Sequence, residues 1–506
     1  MTGPLHNTHM RHILRDCSAI VLLAFPWLQN FSFGPSTAVV QSIVCWLCFS
    51  IFVMLCATIY PSREQQVSVI LRAWLFAALV SACMGIAQYF GNTAWLQGTV
   101  TPATAGQAFG NLRQRNQFAT LMSIGLIALL RYAHSARNTS HRITGVIYIG
   151  AAILATASAA SGSRTGFLQW VMVVGMYWLW PTHKRSLLCF ALAAYALAAV
   201  ALPVLQGSGL QSSGILSRLQ DASPLCASRL TLWSNVWHLI IQKPLMGWGW
   251  GMLDYAHFVT LYPAERFCGI VDNAHNLPLH LAVELGLPIA TLACTAVLVF
   301  VLFAKPWQEI NPSPRAAWAV LAVIGLHSLL EYPLWYAPFQ LAVLLALYVL
   351  LSHRLASACL LQTSKGAALL AVSSLFILAG SCLVAYDYRR MSQAFLPPAS
   401  RLHAGNDDSL TQAKSSWFFK DLANFAELTT MSVNKTNANE VFAMAQHLLR
   451  LSPEPRVIEK LIESATLRGH YAAASAYLAR YKAAFPAESA RWLTRFSTQP
   501  FQNADN

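Results

Sequence analysis

Residues 38–60 read AVVQSIVCWLCFSIFVMLCATIY. No charge interrupts the stretch. As a helix rising about 1.5 Å per residue, it covers the ~30 Å hydrocarbon core of a bilayer. Working outward, comparable apolar runs lie near 17–34, 67–90, 117–133, 143–161, 166–180, 186–205, 277–304, 315–332, 336–352 and 366–386. The run at 166–180 is the shortest of them. The composition agrees: 506 residues, 56% hydrophobic and only 11% charged, with a mean hydropathy of +0.46. A soluble chain of this length would carry far more charge. The sequence predicts an all-α fold, a polytopic transmembrane bundle of about eleven helices, possibly twelve, by the length criterion.

The net charge of +14 does not point to nucleic acid, because the basic residues gather in short connectors and near the C-terminus. Orientation follows from them. With Arg11 and Arg15 inside, the loops that also fall inside hold Arg63; Arg131, Arg137 and Arg142; Lys184 and Arg185; Lys305 and Arg315; Arg354 and Lys365. That is the positive-inside pattern. The first apolar run has no small-residue cleavage site after it and is expected to stay as a helix. The outside receives GNLRQRNQ (110–117), SGSRTG (161–166), the long segment 206–275, EYPLWYAP (331–338) and everything after 387. Outside arginines break the bias, which makes them candidates for function.

Two domains are expected: 1–386, membrane-embedded and including the loop 206–275, and 387–506, soluble and helical. In the loop, SRLTLWSNVWHLI (228–240) sets Leu230, Trp233, Trp237 and Ile240 at helical spacing. This suggests a helix along the membrane surface, with tryptophans at headgroup depth. KPLMGWGWG (243–251) reads as a tight turn after it. In the tail, LRGHYAAASAYLARYKAAFP (467–486) has the spacing of a tetratricopeptide helix pair. Of eleven cysteines, Cys226 and Cys268 lie in the external loop, where an oxidising compartment would let them pair.

Four external polar clusters carry the chemistry. The first is Arg113, Gln114, Arg115, Asn116 and Gln117; the second is Arg164 in its short turn; the third is Arg218 and Arg229; the fourth is DNAHN, with Asp272, Asn273, His275 and Asn276. A guanidinium is a permanently charged planar fork suited to phosphate oxygens. Arginines converging at the outer surface would form a diphosphate site, although a lone one would equally well touch lipid headgroups. His275 stands where a helix begins, with Asp272 or Asn273 as cap. A neutral imidazole there can take a proton from an acceptor hydroxyl; the plainer alternative is a histidine satisfied by the cap. His327 and Glu331, and His280 and Glu284, are each four apart and able to pair along a helix. No zinc-like Cys or His spacing occurs in an external segment, and no phosphate-binding glycine loop occurs at all. Neither metal nor nucleotide cofactor is expected, so an energy-rich bond must arrive with the substrate.

GNLRQRNQFA, SGSRTGFLQ, RLTLW with KPLMGWGWG, DNAHNLPLHLAVELGLP and EYPLW together resemble the bacterial protein O-oligosaccharyltransferases of the PglL type. These share a superfamily with the O-antigen ligases and Wzy-type polymerases. The resemblance is strong over roughly 100–340, and GNLRQRNQ tilts it towards the protein-glycosylating branch. It implies a glycosyltransferase of the bacterial inner membrane, its active site facing the periplasm. Such an enzyme moves a glycan en bloc from undecaprenyl diphosphate to serine or threonine of pilins and other exported proteins. The implied partners are a lipid-linked oligosaccharide donor, a pilin-like acceptor and membrane lipids. By motif match the family's histidine falls on His275, its paired arginines on Arg164 and Arg229 with Arg218 nearby, and its tyrosine on Tyr332. Arg113, Arg115, Asn116 and Asn276 extend the expected donor site. Three rivals keep the outer arginines. A ligase would change the acceptor to lipid A–core, and a polymerase would extend the carrier-linked glycan. An anion transporter would need charge near the midplane, for which Glu284 and His327 are the candidates.

Overall fold

The computed structural model describes residues 4–31, 34–60, 62–135, 140–180, 185–207, 224–354, 364–401 and 409–498. Among them, every regular element is helical. The first seven helices are α1 (Pro4–Leu28), α2 (Thr37–Thr58), α3 (Arg63–Tyr89), α4 (Arg115–Ser135), α5 (His141–Ala160), α6 (Arg164–Leu179) and α7 (Arg185–Leu205). Then follow α8 (Arg229–Gln242), α9 (Leu253–Val259), α10 (Leu277–Leu285), α11 (Leu287–Ala304), α12 (Pro312–Leu330), α13 (Ala337–Arg354) and α14 (Ser364–Ser392). The tail folds as α15 (Ser409–Lys414), α16 (Lys420–Thr430), α17 (Ala438–Leu449), α18 (Pro455–Leu467), α19 (Tyr471–Ala484) and α20 (Pro486–Thr498).

Among the described residues, seven helices are long and apolar enough to cross a membrane: α2, α3, α5, α7, α11, α12 and α14. The chain is a multi-pass membrane protein. Others of the expected runs fall short for identifiable reasons. Helix α6 has only 16 residues, and α4 opens on Arg115 and Asn116 and buries Gln117, Thr120 and Ser123. The run expected at 277–304 as one span is two helices, broken at Gly286. Arg218, a candidate from the sequence, lies outside the described residues.

The chain forms two compact units, Met1–Asp221 with Val301–Leu383 and Ala222–Phe300 with Val384–Asn506. In the first, α3, α4, α5 and α12 pack around small residues such as Ala77, Ala78, Ala151 and Ala319. Small side chains let helix backbones approach closely, which is how packing is won where lipid offers no hydrophobic drive. In the second unit, α9 has two apolar faces. Leu253 and Ala256 join Leu232, Val236 and Leu239 of α8 and Val283 of α10. Tyr255, Phe258 and Val259 join Leu448, Leu461 and Tyr481 of the tail. Arg480 Nε also donates to the Val259 carbonyl at 2.8 Å. Loop and tail therefore share a core, where a division at 386 would have separated them.

Candidate active site

In the first unit the approach to α4 is held by two buried amides. The Gln88 side-chain oxygen accepts from the backbone N–H of Phe109 and Gly110, and its Nε2 donates to the Gly110 carbonyl at 2.9 Å. Asn111 Nδ2 donates to the Leu28 and Thr99 carbonyls. Amides in these places substitute for a sheet or helix partner, leaving the buried loop backbone satisfied. Arg113 adopts a left-handed backbone, φ 60°, and donates to the carbonyl and side-chain oxygens of Asn30. That guanidinium is partly committed within the bundle.

Asn116 links the first two sequence clusters to the end of α12. Its Nδ2 donates to Glu331 Oε1 at 2.9 Å, and its Oδ1 accepts from the Ser163 hydroxyl at 2.6 Å. Ser163 Oγ in turn accepts from Gly166 N at 2.9 Å and caps α6, so Arg164 occupies the first helical position. Gly166 is obligatory for the approach of α6 to α4, since a Cβ there would lie 2.5 Å from Ala119 Cβ. One turn deeper, Thr120 Oγ1 contacts His327 Nδ1 at 2.9 Å, and Gln169 Nε2 donates to Thr120 and to the Val323 carbonyl. His327 and Glu331 thus find partners on other helices beyond the pair suggested by their spacing. Tyr332 stacks on Tyr336, with ring centroids 5.8 Å apart. Both ends of the Asn116 amide therefore serve the bundle as a bridge.

In the second unit, Ser228 caps α8 by accepting from Thr231 N at 3.1 Å, and Arg229 follows it. The cap is anchored from behind by a disulfide between Cys226 and Cys268 and by the bond from Cys268 N to the Cys226 carbonyl. One turn on, Trp233 Nε1 donates to the Ala274 carbonyl at 3.1 Å. Helix α8 therefore carries Arg229 and also holds the peptide before His275. Its exposed apolar face is Leu230, Trp237 and Ile241, whereas Ile240 is buried with Leu232, Val236 and Leu239, a correction to the expected exposed set.

His275 itself has φ 51°, a left-handed backbone rare for a residue with a side chain. It is over-determined from both sides. Asn273 Oδ1 accepts from His275 N at 2.9 Å, and Asn276 Oδ1 accepts from Leu279 N at 3.0 Å. The cap of α10 is Asn276, not Asp272 or Asn273, and His275 precedes it. Strain held in this way is concentrated at functional positions.

The two glycine motifs of this unit lock together. Trp248 N donates to the Val283 carbonyl, Gly249 N to Glu284 and Leu287 N to Pro244, all within 2.9 Å. A Cβ on Gly286 would lie 2.1 Å from the Leu245 carbonyl oxygen. Its backbone, φ 87° and ψ 162°, belongs to a region used essentially by glycine alone, at a cost of about 1–3 kcal/mol to other residues. Gly286→Ala is expected to lower the yield of folded protein and the thermal midpoint of what remains. An unchanged midpoint in purified protein would show the turn to be adaptable. Beside it, His280 Nε2 lies 3.4 Å from the buried Glu284 carboxylate.

Arg115, Arg164 and Arg229 are each the first residue of a helix with no acid in its first turn, a feature that Arg185 at the start of α7 also has. The N-terminal end of a helix carries partial positive charge, so a cation there is disfavoured. An anion placed there meets both the free backbone N–H groups and the guanidinium. Arg164 is exposed and makes no hydrogen bond or ion pair among the described residues. At 163–164 and 228–229 a serine that caps the helix is followed by the cation.

A protein glycosylation ligase family model matches residues 108–132, an O-antigen ligase model matches 149–294, and a model of the C-terminal part of virulence-factor membrane-bound polymerases matches 315–498. The chain resembles the O-antigen ligases and protein O-oligosaccharyltransferases. Two curated relatives come from Acinetobacter baylyi. A general O-oligosaccharyltransferase is 25% identical over 279 residues, covering 53% of this chain and 48% of its own. A ComP-specific O-oligosaccharyltransferase is 24% identical over 242 residues, covering 47% and 43%. The chain spans about half the length of these relatives. The glycosylation-ligase match contains Arg113, Arg115 and Asn116, and the ligase match contains Arg164, Arg229 and His275.

One ionisable group, Asp254, close enough to the DNAHN peptide to feel the Asp272 charge, carries no signal in the sequence. Asp254, in the first turn of α9, is pushed up to about 7, first by burial and then by the charges of Asp272 and Glu284, against the pull of Tyr255 N. Its folded form holds a proton that the unfolded chain releases near pH ~3.9. The stability it contributes is therefore full below that pH and declines as the pH rises towards 7. Asp254→Asn is expected to match the parent's thermal midpoint near pH 4 and exceed it at pH 8. Parallel pH profiles would contradict this.

Proposed function

We propose that this protein is an oligosaccharyltransferase that moves a preassembled glycan from a lipid diphosphate, undecaprenyl diphosphate in bacteria, to serine or threonine hydroxyls of exported proteins such as pilins. Transfer takes place at the periplasmic face of the inner membrane. The observation that carries the reading is the left-handed backbone of His275, φ 51°, held by Asn273 and Asn276 in the DNAHN stretch; Arg164, exposed at the start of α6 with no acid in the first turn, supports it as an anion-binding cation. Arg164 and Arg229 neutralise the leaving diphosphate, with Arg115 as a further donor-binding group. The acceptor oxygen attacks the anomeric carbon as the bond to the diphosphate breaks, and His275 takes the hydroxyl proton. Charge stabilisation of the leaving group is the largest contribution. Tyr332 orients a hydroxyl of donor or acceptor. Protein as acceptor is supported by the glycosylation-ligase match at 108–132 and by the names of the relatives.

The test is reconstitution of purified protein with lipid-linked glycan and a pilin-like acceptor, read by intact mass. A glycan-sized mass gain on serine or threonine is expected. Transfer to lipid A–core alone, or extension of the carrier-linked glycan alone, would replace this reading with ligase or polymerase.

A further inference from the structure

Helix α3 ends near the Gln88 and Asn111 amides but begins at Arg63, where the basic connectors gather. The positive-inside rule assigns that end to the cytoplasmic leaflet. There α2, α3, α13 and α14 leave a cleft of about 570 Å³. Its length is apolar: Phe52, Val53 and Cys56 from α2, Leu344 from α13 and Leu370 from α14. Its other lining residues include the polar Tyr60, Arg63, Gln66 and Tyr348. A second cleft of about 760 Å³ also has Arg63 in its wall, together with Glu64, Arg72 and Arg131. One guanidinium thus belongs both to an oily slot and to a basin with three cations and one acid.

The polar groups around Arg63 are already paired. The Tyr348 hydroxyl donates to Gln66 Oε1, and Gln66 Nε2 donates to the Tyr60 carbonyl. Arg63 Nη1 donates to the Ser352 carbonyl at 2.8 Å. Its Nη2 is shielded from solvent and has no partner among the described residues. A shielded charged donor left unmade is costly, and the oxygen that best satisfies it belongs to a phosphate. The slot next to it suits a hydrocarbon chain. Basic pockets between membrane helices on the cytoplasmic side are known to take anionic headgroups.

We propose that these adjoining clefts bind an anionic phospholipid of the inner leaflet, its phosphate on Arg63 and one acyl chain between α2, α13 and α14. The site is separate from the transfer chemistry and does not depend on that assignment. The oily slot is what distinguishes a lipid from free phosphate as the ligand.

The full-length protein in detergent is titrated with phosphatidylglycerol, with diacylglycerol of the same chains and with inorganic phosphate, and bound lipid is counted by native mass spectrometry. One phosphatidylglycerol is expected to bind at least tenfold more tightly than diacylglycerol, and millimolar phosphate is expected not to displace it. Arg63→Gln is expected to remove that preference. Ala57→Trp, at a half-buried position lining the slot, blocks the chain while leaving Arg63 in place and is expected to weaken phosphatidylglycerol at least tenfold. Equal binding of the two lipids would overturn the proposal. So would full displacement by phosphate, or undiminished binding in folded Ala57→Trp.

Discussion

His275→Ala is expected to lower glycan transfer by roughly 10²–10⁴-fold, the usual worth of a positioned general base, while the protein stays folded and inserted. The expectation rests on geometry as well as motif. A left-handed backbone at φ 51° is held by Asn273 and Asn276 and by Trp233 through the neighbouring carbonyl. A fold does not hold a side-chain-bearing residue there without opposition. Alanine changes both the imidazole and the preference of the backbone, so His275→Asn is the sharper variant. Asparagine tolerates the left-handed region but cannot accept the proton. It is expected to be as inactive as alanine and to keep the parental thermal midpoint more closely. Both are read as initial rates of glycan transfer to the acceptor, with a melting curve beside them. Full activity in His275→Asn would remove proton acceptance from the role of this residue and leave only loop geometry.

The membrane character was legible in residues such as 38–60, because the need for an unbroken apolar helix leaves a long local trace. The Ser-Arg pairs were legible in principle for the same reason: a cap and its helix are neighbours in sequence. What the sequence concealed is long-range. The bond from Asn116 to Glu331 joins positions 215 apart, and each residue alone reads as an external polar group open to ligand. The break at Gly286 was passed over because the leucines on either side keep the hydropathy of one continuous span, although Gly286 followed by Pro288 is a helix-stop signal. What the sequence could not show is the Leu245 carbonyl that leaves no room for a side chain at Gly286, because periodicity does not bring that turn near it. The sharing of a core between α9 and the tail was hidden likewise. Seven residues with two apolar faces look like a loop when read locally. For the candidate site, the residue types were readable, whereas the division of labour among them was not. Asn116 and Asn276 are spent on bridging and capping, and Arg113 is partly spent on Asn30.

Arg164→Lys is expected to reduce transfer by about 10²–10³-fold, the range seen when one donor to developing charge is lost. Lysine keeps the charge, so a large loss would isolate the planar fork and its two parallel hydrogen bonds. The loss should fall on kcat more than on KM if the guanidinium meets the diphosphate most strongly as the glycosidic bond breaks. Ser163→Ala gives the control for position. It removes the bonds to Asn116 and to Gly166 N without touching the cation. A lost cap costs about 0.5–2 kcal/mol of stability, so its effect should appear mainly in the melting curve. Rates are compared at saturating lipid-linked glycan, so that weak donor binding does not imitate slow chemistry. A lysine variant with parental kcat would reduce Arg164 to a point charge, and Arg115 or Arg229, each at a helix start, would then have to supply the fork. If Ser163→Ala instead lost as much kcat as Arg164→Lys, the decisive property would be the placement of the helix end that Asn116 and Glu331 hold, with the guanidinium acting through it.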